Sequence, residues 1–141
     1  MEIMNTTILI IGVVKKDNQV LLRKKLPGAG PYKELWYLFG GKIELEKEAP
    51  EEIIQKTIKE QAGIDVKMTQ RFGWDTEIKP NEQGVETFYL YLDTLCEYIS
   101  GELKPGPGIF YLEWADIEKL REYKLNPPSK KLFRRIGYLK D

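Results

Sequence analysis

A helix fenced at both ends constrains this chain more than any other feature. Pro50 stands where helix entry tolerates a missing amide, and Glu51 and Glu52 place negative charge at the positive helix end. The helix runs to about Ala62, and Gly63 is its natural C-terminal stop. Between these limits Ile54, Ile58 and Ala62 recur every four residues, so one face must be buried against something apolar. The flanking segments show what that is.

Thr6 to Val14 is a continuous apolar, β-branched run. Asp17-Asn18 supplies turn residues before Val20-Leu21-Leu22 resumes the strand pattern, so the two runs form a hairpin feeding a buried sheet. Pro27-Gly28-Ala29-Gly30-Pro31 reads as a surface loop, because prolines fix φ and glycines release it. Gly40-Gly41 reads as a turn. Ile64 to Trp74 and Val85 to Tyr98 read as long strands, the second too rich in apolar and aromatic residues for a solvated ribbon. Phe110 to Trp114 is a further short strand and Asp116 to Glu122 a helical turn or two. Pro127 opens a last helix reaching Tyr138, with Leu132, Ile136 and Leu139 on one side. Mixed strands around one central and one C-terminal helix suit a layered α/β/α domain.

Composition narrows the function classes. At 141 residues and 42% hydrophobic content, residues 1–141 are the size of one ordinary domain. Twenty-two basic and 22 acidic side chains cancel, so no overall field recruits nucleic acid or an anionic membrane. Histidine is absent, which removes imidazole bases and imidazole metal ligands. Any chemistry must run on carboxylates, hydroxyls, lysines or water. Cys96 is the lone cysteine, so an internal disulfide and a cysteine metal cluster are ruled out, and a reducing compartment fits. The apolar run Ile8 to Val14 is too short to span a bilayer and reads as a core strand of a cytoplasmic protein.

The stretch from Leu38 to Ile64 resembles the Nudix box, the loop-helix signature of enzymes that cleave diphosphates linked to another group. Gly41 opens the box, seven residues separate Glu48 from Lys56, and Gly63-Ile64 closes it. Lys56 takes the place of the family's Arg, Thr57 that of its first helix Glu, Glu60 its second and Gln61 its third. Six residues rather than five lie between Gly41 and Glu48. The resemblance implies a Nudix-type α/β/α sandwich with a mixed central sheet.

What the resemblance implies for chemistry is a metal-dependent hydrolase. The substrate class is a nucleoside diphosphate linked to another group, or a nucleoside triphosphate. Carboxylates three and four positions apart share one helix face and can hold a dication. Here those positions are Thr57, Glu60 and Gln61, of which only Glu60 carries charge. Transferred residue by residue, Glu60, Gln61 and the Gly41 carbonyl become the metal ligands, Thr57 and Gln61 hold water, and Glu48 with Lys56 braces the loop. Neutral oxygens hold a hard dication more weakly than carboxylates, so Mg²⁺ or Mn²⁺ should bind weakly unless substrate phosphates contribute. Glu44, Glu46 and Glu48 either compensate or are solvated. The late stretch Lys104 to Ile109, where many family members carry a further acid, has none.

Substrate choice falls to other residues. Trp36 and Phe39 precede the Gly-Gly turn, and Tyr32, Phe72 and Trp74 are further aromatic faces for a base. Asn126, before Pro127-Pro128, stands where some nucleoside triphosphate cleaving members read a purine edge; capping the last helix is its simpler role. With two box carboxylates replaced, a weak or atypical hydrolase is expected. The alternative is a module that kept the sandwich and lost hydrolysis, binding a nucleotide or a partner protein, and a homodimer is a third use of the aromatic surface. The expected partner is a nucleotide-type small molecule rather than nucleic acid.

Overall fold

The computed structural model describes residues 5–25, 35–44 and 48–140. Strands β1 (Asn5–Lys16), β2 (Gln19–Lys25) and β3 (Phe39–Lys42) precede helix α1 (Pro50–Ala62). Strands β4 (Asp65–Pro80), β5 (Glu86–Ser100) and β6 (Ile109–Asp116) follow. A short 3₁₀ segment (Ile117–Glu122) then leads to helix α2 (Pro127–Arg135). The sheet order is β4-β5-β1-β2-β6, with β3 paired to β1 as well. Strands β1 and β5 run parallel and the other pairings are antiparallel, giving the mixed sheet expected.

Pleating assigns alternate residues of β1 and β2 to two cores. Ile10, Val14 and Leu21 pack with Ile54, Ile58 and Ala62 of α1. Val13, Val20 and Leu22 pack with Leu132 and Phe133 of α2. The two helices therefore lie on opposite faces of the sheet, which makes the α/β/α sandwich. Helix α1 approaches closely at Gly12, where a β-carbon would stand 2.8 Å from Ile54 Cγ1.

Both helices end where local chemistry dictates. Gly63, at φ +78, accepts the left-handed conformation and its amide donates to the Lys59 carbonyl. Helix α2 stops at Arg135, short of the expected Tyr138, because Gly137 turns left-handed at φ +85. Strand β4 extends to Pro80 rather than Trp74. It is the sheet's outer strand, so the polar run after Trp74 keeps its ladder to β5 while facing water. Gly40-Gly41 belongs to a strand, not a turn, with Gly41 opposite Ile10 and Gly40 opposite Ile11. The loop Pro27 to Pro31 lies outside the described residues.

Candidate active site

Strand β3 is short, and past its end the sheet leaves a cavity of about 940 Å³. Leu9 and Ile11 of β1 and Tyr89, Tyr91 and Asp93 of β5 form its floor, and Asn126, Ser129 and Leu132 of α2 form one wall. Arg23, Lys25 and Tyr37 form another, with Gln61, Pro107 and Gly108 at the box-helix side and Lys79 on the β4–β5 hairpin.

Tyr37 organises the basic wall. Its residue bridges to Arg23 across the β2–β3 gap, with both backbone hydrogen bonds made. The Arg23 guanidinium carbon lies 5.7 Å from the Tyr37 ring centre and 5.4 Å from that of Phe39, and Arg23 Nε donates to the Leu38 carbonyl at 2.9 Å. Lys25 Nζ lies 4.8 Å from the same Tyr37 ring. A register shift between Lys24 and Lys25 bends the strand there, a device that re-aims side chains. Burial lowers the Arg23 pKa to about 10, and the Tyr37 hydroxyl opposes that fall; the guanidinium still stays protonated at neutral pH. Lys25 is also lowered, by burial first and then by repulsion from Arg23 and Lys79, with Glu82 pulling the other way.

Beside the cavity the box helix meets β3. A β-carbon on Gly41 would stand 2.7 Å from Thr57 Oγ1, so only glycine lets the helix settle there. Gln61 lines the cavity, and its side-chain oxygen Oε1 is buried without a hydrogen-bond partner among the described residues. Glu60 is exposed and does not line the cavity. Lys56 Nζ lies 3.3 Å from Glu48 Oε1 on the surface, a pair that contributes little to stability. The late loop fastens onto the helix end: the Lys104 amide donates to the Ala62 carbonyl at 2.8 Å and the Gly106 amide to the Gln61 carbonyl at 2.9 Å.

At the floor, Asp93 is buried and forms a close ion pair with Arg135 of α2, whose guanidinium also donates to the Trp74 carbonyl. Burial raises the Asp93 pKa more than Arg135 lowers it. Asn126 caps α2, its Oδ1 accepting from the Ser129 amide at 3.2 Å, while Ser129 Oγ accepts from the Leu38 amide at 3.1 Å.

The structure thus brings Gln61 and Asn126 into one cavity and leaves other expected site residues outside it. Phe39 is fully buried in the α1-side core, and Trp36 points to the other side of its strand, edge-on to Tyr111 and Tyr123. Alternation sends Trp36 to the opposite side from Tyr37, the aromatic residue of this stretch that lines the cavity, whereas Phe39 shares the parity of Tyr37 and is covered by the α1-side core. Phe72 packs on the α2-side core and Trp74 is exposed. Tyr32 and Glu46 lie outside the described residues. Arg23, Lys25 and Lys79 are site residues that sequence reasoning missed, because basic residues at strand ends read as solvated. Their one signal is that Arg23 and Lys25 share a strand parity just before an irregular segment.

A dication would find oxygen donors here and little charge. Among the described residues no three of His, Cys, Asp and Glu gather around a point. Gln61 Oε1 is nonetheless a buried oxygen without a hydrogen-bond partner among the described residues, and Thr57, Glu60 and the Gly41 carbonyl, outside the cavity lining, are hard donors of the kind magnesium prefers. The set fits an ion shared with substrate phosphates, not one caged by protein alone.

The sequence matches the NUDIX domain over residues 5–136. The chain belongs to the Nudix family, a class of hydrolases acting on diphosphate bonds. No curated protein matches it. Among solved structures, it resembles a MutT Nudix hydrolase from Burkholderia pseudomallei at 20% identity, covering 94% of this chain and 98% of that one, with a TM-score of 0.77. A MutT protein from Bacillus halodurans is similar at 23% identity over 96% and 84%, with a TM-score of 0.74. An ADP-ribose pyrophosphatase from Streptococcus suis follows at 18% identity over 94% and 87%, with a TM-score of 0.67. At these identities the likeness carries the fold.

Proposed function

We propose that this chain hydrolyses the diphosphate of a nucleotide-type substrate, seated in the cavity between the box helix and α2. The observation that carries the reading is Gln61 Oε1, buried and without a hydrogen-bond partner among the described residues, in a cavity whose lining also holds Arg23 and Lys25. Guanidinium and ammonium groups are the natural partners of phosphate oxygens. Tyr37, Tyr89 and Tyr91 offer apolar faces beside them, suited to the base or the second substituent. Asn126 has a side-chain amide group left after capping α2, which can meet a base edge.

Mg²⁺ or Mn²⁺, when bound with the substrate, supplies charge neutralisation on the phosphate oxygens and positions the attacking water. Glu60, Gln61, Thr57 and the Gly41 carbonyl are the donors that would hold it. Glu48 and Lys56 act at one remove, pinning the loop through their ion pair. In hydrolysis water adds to one phosphorus, the bridging P–O bond breaks, and two phosphate-bearing products leave. The lone buried thiol suits a cytoplasmic setting. Among the described residues no helix is long and apolar enough to cross a membrane. Trp74, 71% exposed on the outer strand, is the surface on which a homodimer would close, which sedimentation decides.

The test is release of a nucleoside monophosphate from a panel of ADP-ribose, a nucleotide sugar, a dinucleoside polyphosphate and an oxidised nucleoside triphosphate, each with magnesium or manganese. Cleavage is expected for at least one, with Glu60→Gln and Gln61→Ala each slowing it about tenfold or more. Cleavage of none, or rates untouched by both changes, overturns the reading.

A further inference from the structure

The helix that faces the cavity presents no negative charge to it. Thr57 rests against Gly41, Gln61 lines the cavity with a neutral amide, and the helix's carboxylates, Glu51, Glu52 and Glu60, do not line it. Another part of the lining is positive. Arg23 and Lys25 both stand over the ring of Tyr37, at 5.7 and 4.8 Å, and among the described residues neither has a carboxylate within ion-pairing distance. Lys79 reaches the same cavity from the hairpin, 5.1 Å from the Tyr89 ring and paired with Glu77 at 3.4 Å.

Acids also line the cavity, but two are engaged elsewhere. Asp93 is held by Arg135 and Asp75 by Lys131. Glu82 acts on Lys25 from the hairpin turn without closing an ion pair. Two like charges brought together on one ring, partly desolvated, are costly unless an anion joins them. Arg23 uses one donor on the Leu38 carbonyl, and the flat remainder of its fork matches two phosphate oxygens. A dication placed in the same cavity would meet repulsion from these cations, while the carboxylate of Glu60 stands outside the cavity lining.

We propose that Arg23 and Lys25, assisted by Lys79, hold the ligand's diphosphate by direct ion pairing, so that nucleotide binding to this chain needs no divalent cation. The inference rests on the cavity assigned above and separates two jobs: the protein's own cations bind, and a dication serves only turnover. It also gives the neutral residues Thr57 and Gln61 a reason. A carboxylate at either place would repel a phosphate bound without metal.

Isothermal titration calorimetry with α,β-methylene ADP, and separately with inorganic pyrophosphate, tests this in chelator and in magnesium. Affinity in chelator is expected within about threefold of that in magnesium. Lys25→Gln should weaken binding about tenfold in either buffer, and Arg23→Gln likewise where a thermal melt shows it folded. Gln61→Glu should lose about tenfold in chelator and recover in magnesium, converting metal-free binding into metal-dependent binding. Binding abolished by chelator, binding indifferent to Lys25→Gln, or no binding of either probe in either buffer overturns the proposal. Metal-free binding with no cleavage of any panel substrate removes the hydrolase reading and leaves this one. Cleavage with chelator-sensitive binding does the reverse.

Discussion

Gly41 and Thr57 are in such close register that a β-carbon on the glycine would stand 2.7 Å from the threonine hydroxyl, and 2.9 Å from Ile53 Cγ2 besides. Strand β3 and helix α1 are joined at this point without room for a methyl group. Gly41→Ala should therefore destabilise the fold by about 1–3 kcal/mol through overpacking, measured by urea denaturation. Thr57→Ala combined with it should recover only part of the loss, since Ile53 still obstructs.

Gly106 is under tighter constraint. Its β-carbon would fall 1.9 Å from the Glu60 carbonyl oxygen, and backbone cannot swing aside as a side chain can. Gly106→Ala should cost more than Gly41→Ala and should release the Lys104 and Gly106 amides to hydrogen exchange. Equal stability of the two variants would show that the loop moves away freely.

Arg135→Ala should destabilise by about 3 kcal/mol, because it leaves the Asp93 carboxylate buried without its partner. Asp93→Asn should cost less. The pH dependence has a definite sign: the folded-state pKa of Asp93 is raised by burial, so its stabilising contribution is full below the ordinary carboxylate range and is lost as pH rises through the raised value. Wild-type stability, compared with Asp93→Asn by denaturant melts across acidic pH, should show that decline and the variant should lack it.

Cys96 is fully buried, and burial pushes its pKa to about 11, against a small opposing pull from Thr94. A thiolate-specific reagent such as a disulfide dye should leave it untouched in the folded protein and label it in step with unfolding. Labelling in native buffer at the rate of a free thiol would contradict this burial.

Asn126 serves α2 and borders the cavity at once. Asn126→Ala should lose about 1 kcal/mol with the cap, whereas Asn126→Asp should keep it. If the amide also meets a base edge, nucleotide affinity measured by calorimetry will fall in Asn126→Asp although the melting temperature holds.

What could be read from sequence was what neighbours along the chain decide. Helix α1 runs from Pro50 to Ala62 because the proline and Gly63 act locally, and the buried trio Ile54, Ile58 and Ala62 follows from period alone. Where distant segments decide, sequence reading missed. Gly40-Gly41 looks like a turn until β1 supplies the partner that makes it a strand. Trp36 and Phe39 read as equal candidates for a ligand face, but the bridge of Tyr37 to Arg23 fixes the parity that turns Trp36 away, and the packing of α1 on the sheet buries Phe39. The cavity's cations come from β2 and from a hairpin more than fifty residues later, a meeting only the sheet's strand order arranges.

Because Lys104 and Gly106 tether their amides to the last carbonyls of α1 while Pro107 and Gly108 of the same loop border the cavity, the loop works as a built-in gauge. A spectroscopist could watch those two amide resonances and follow occupancy without placing a tag near the ligand.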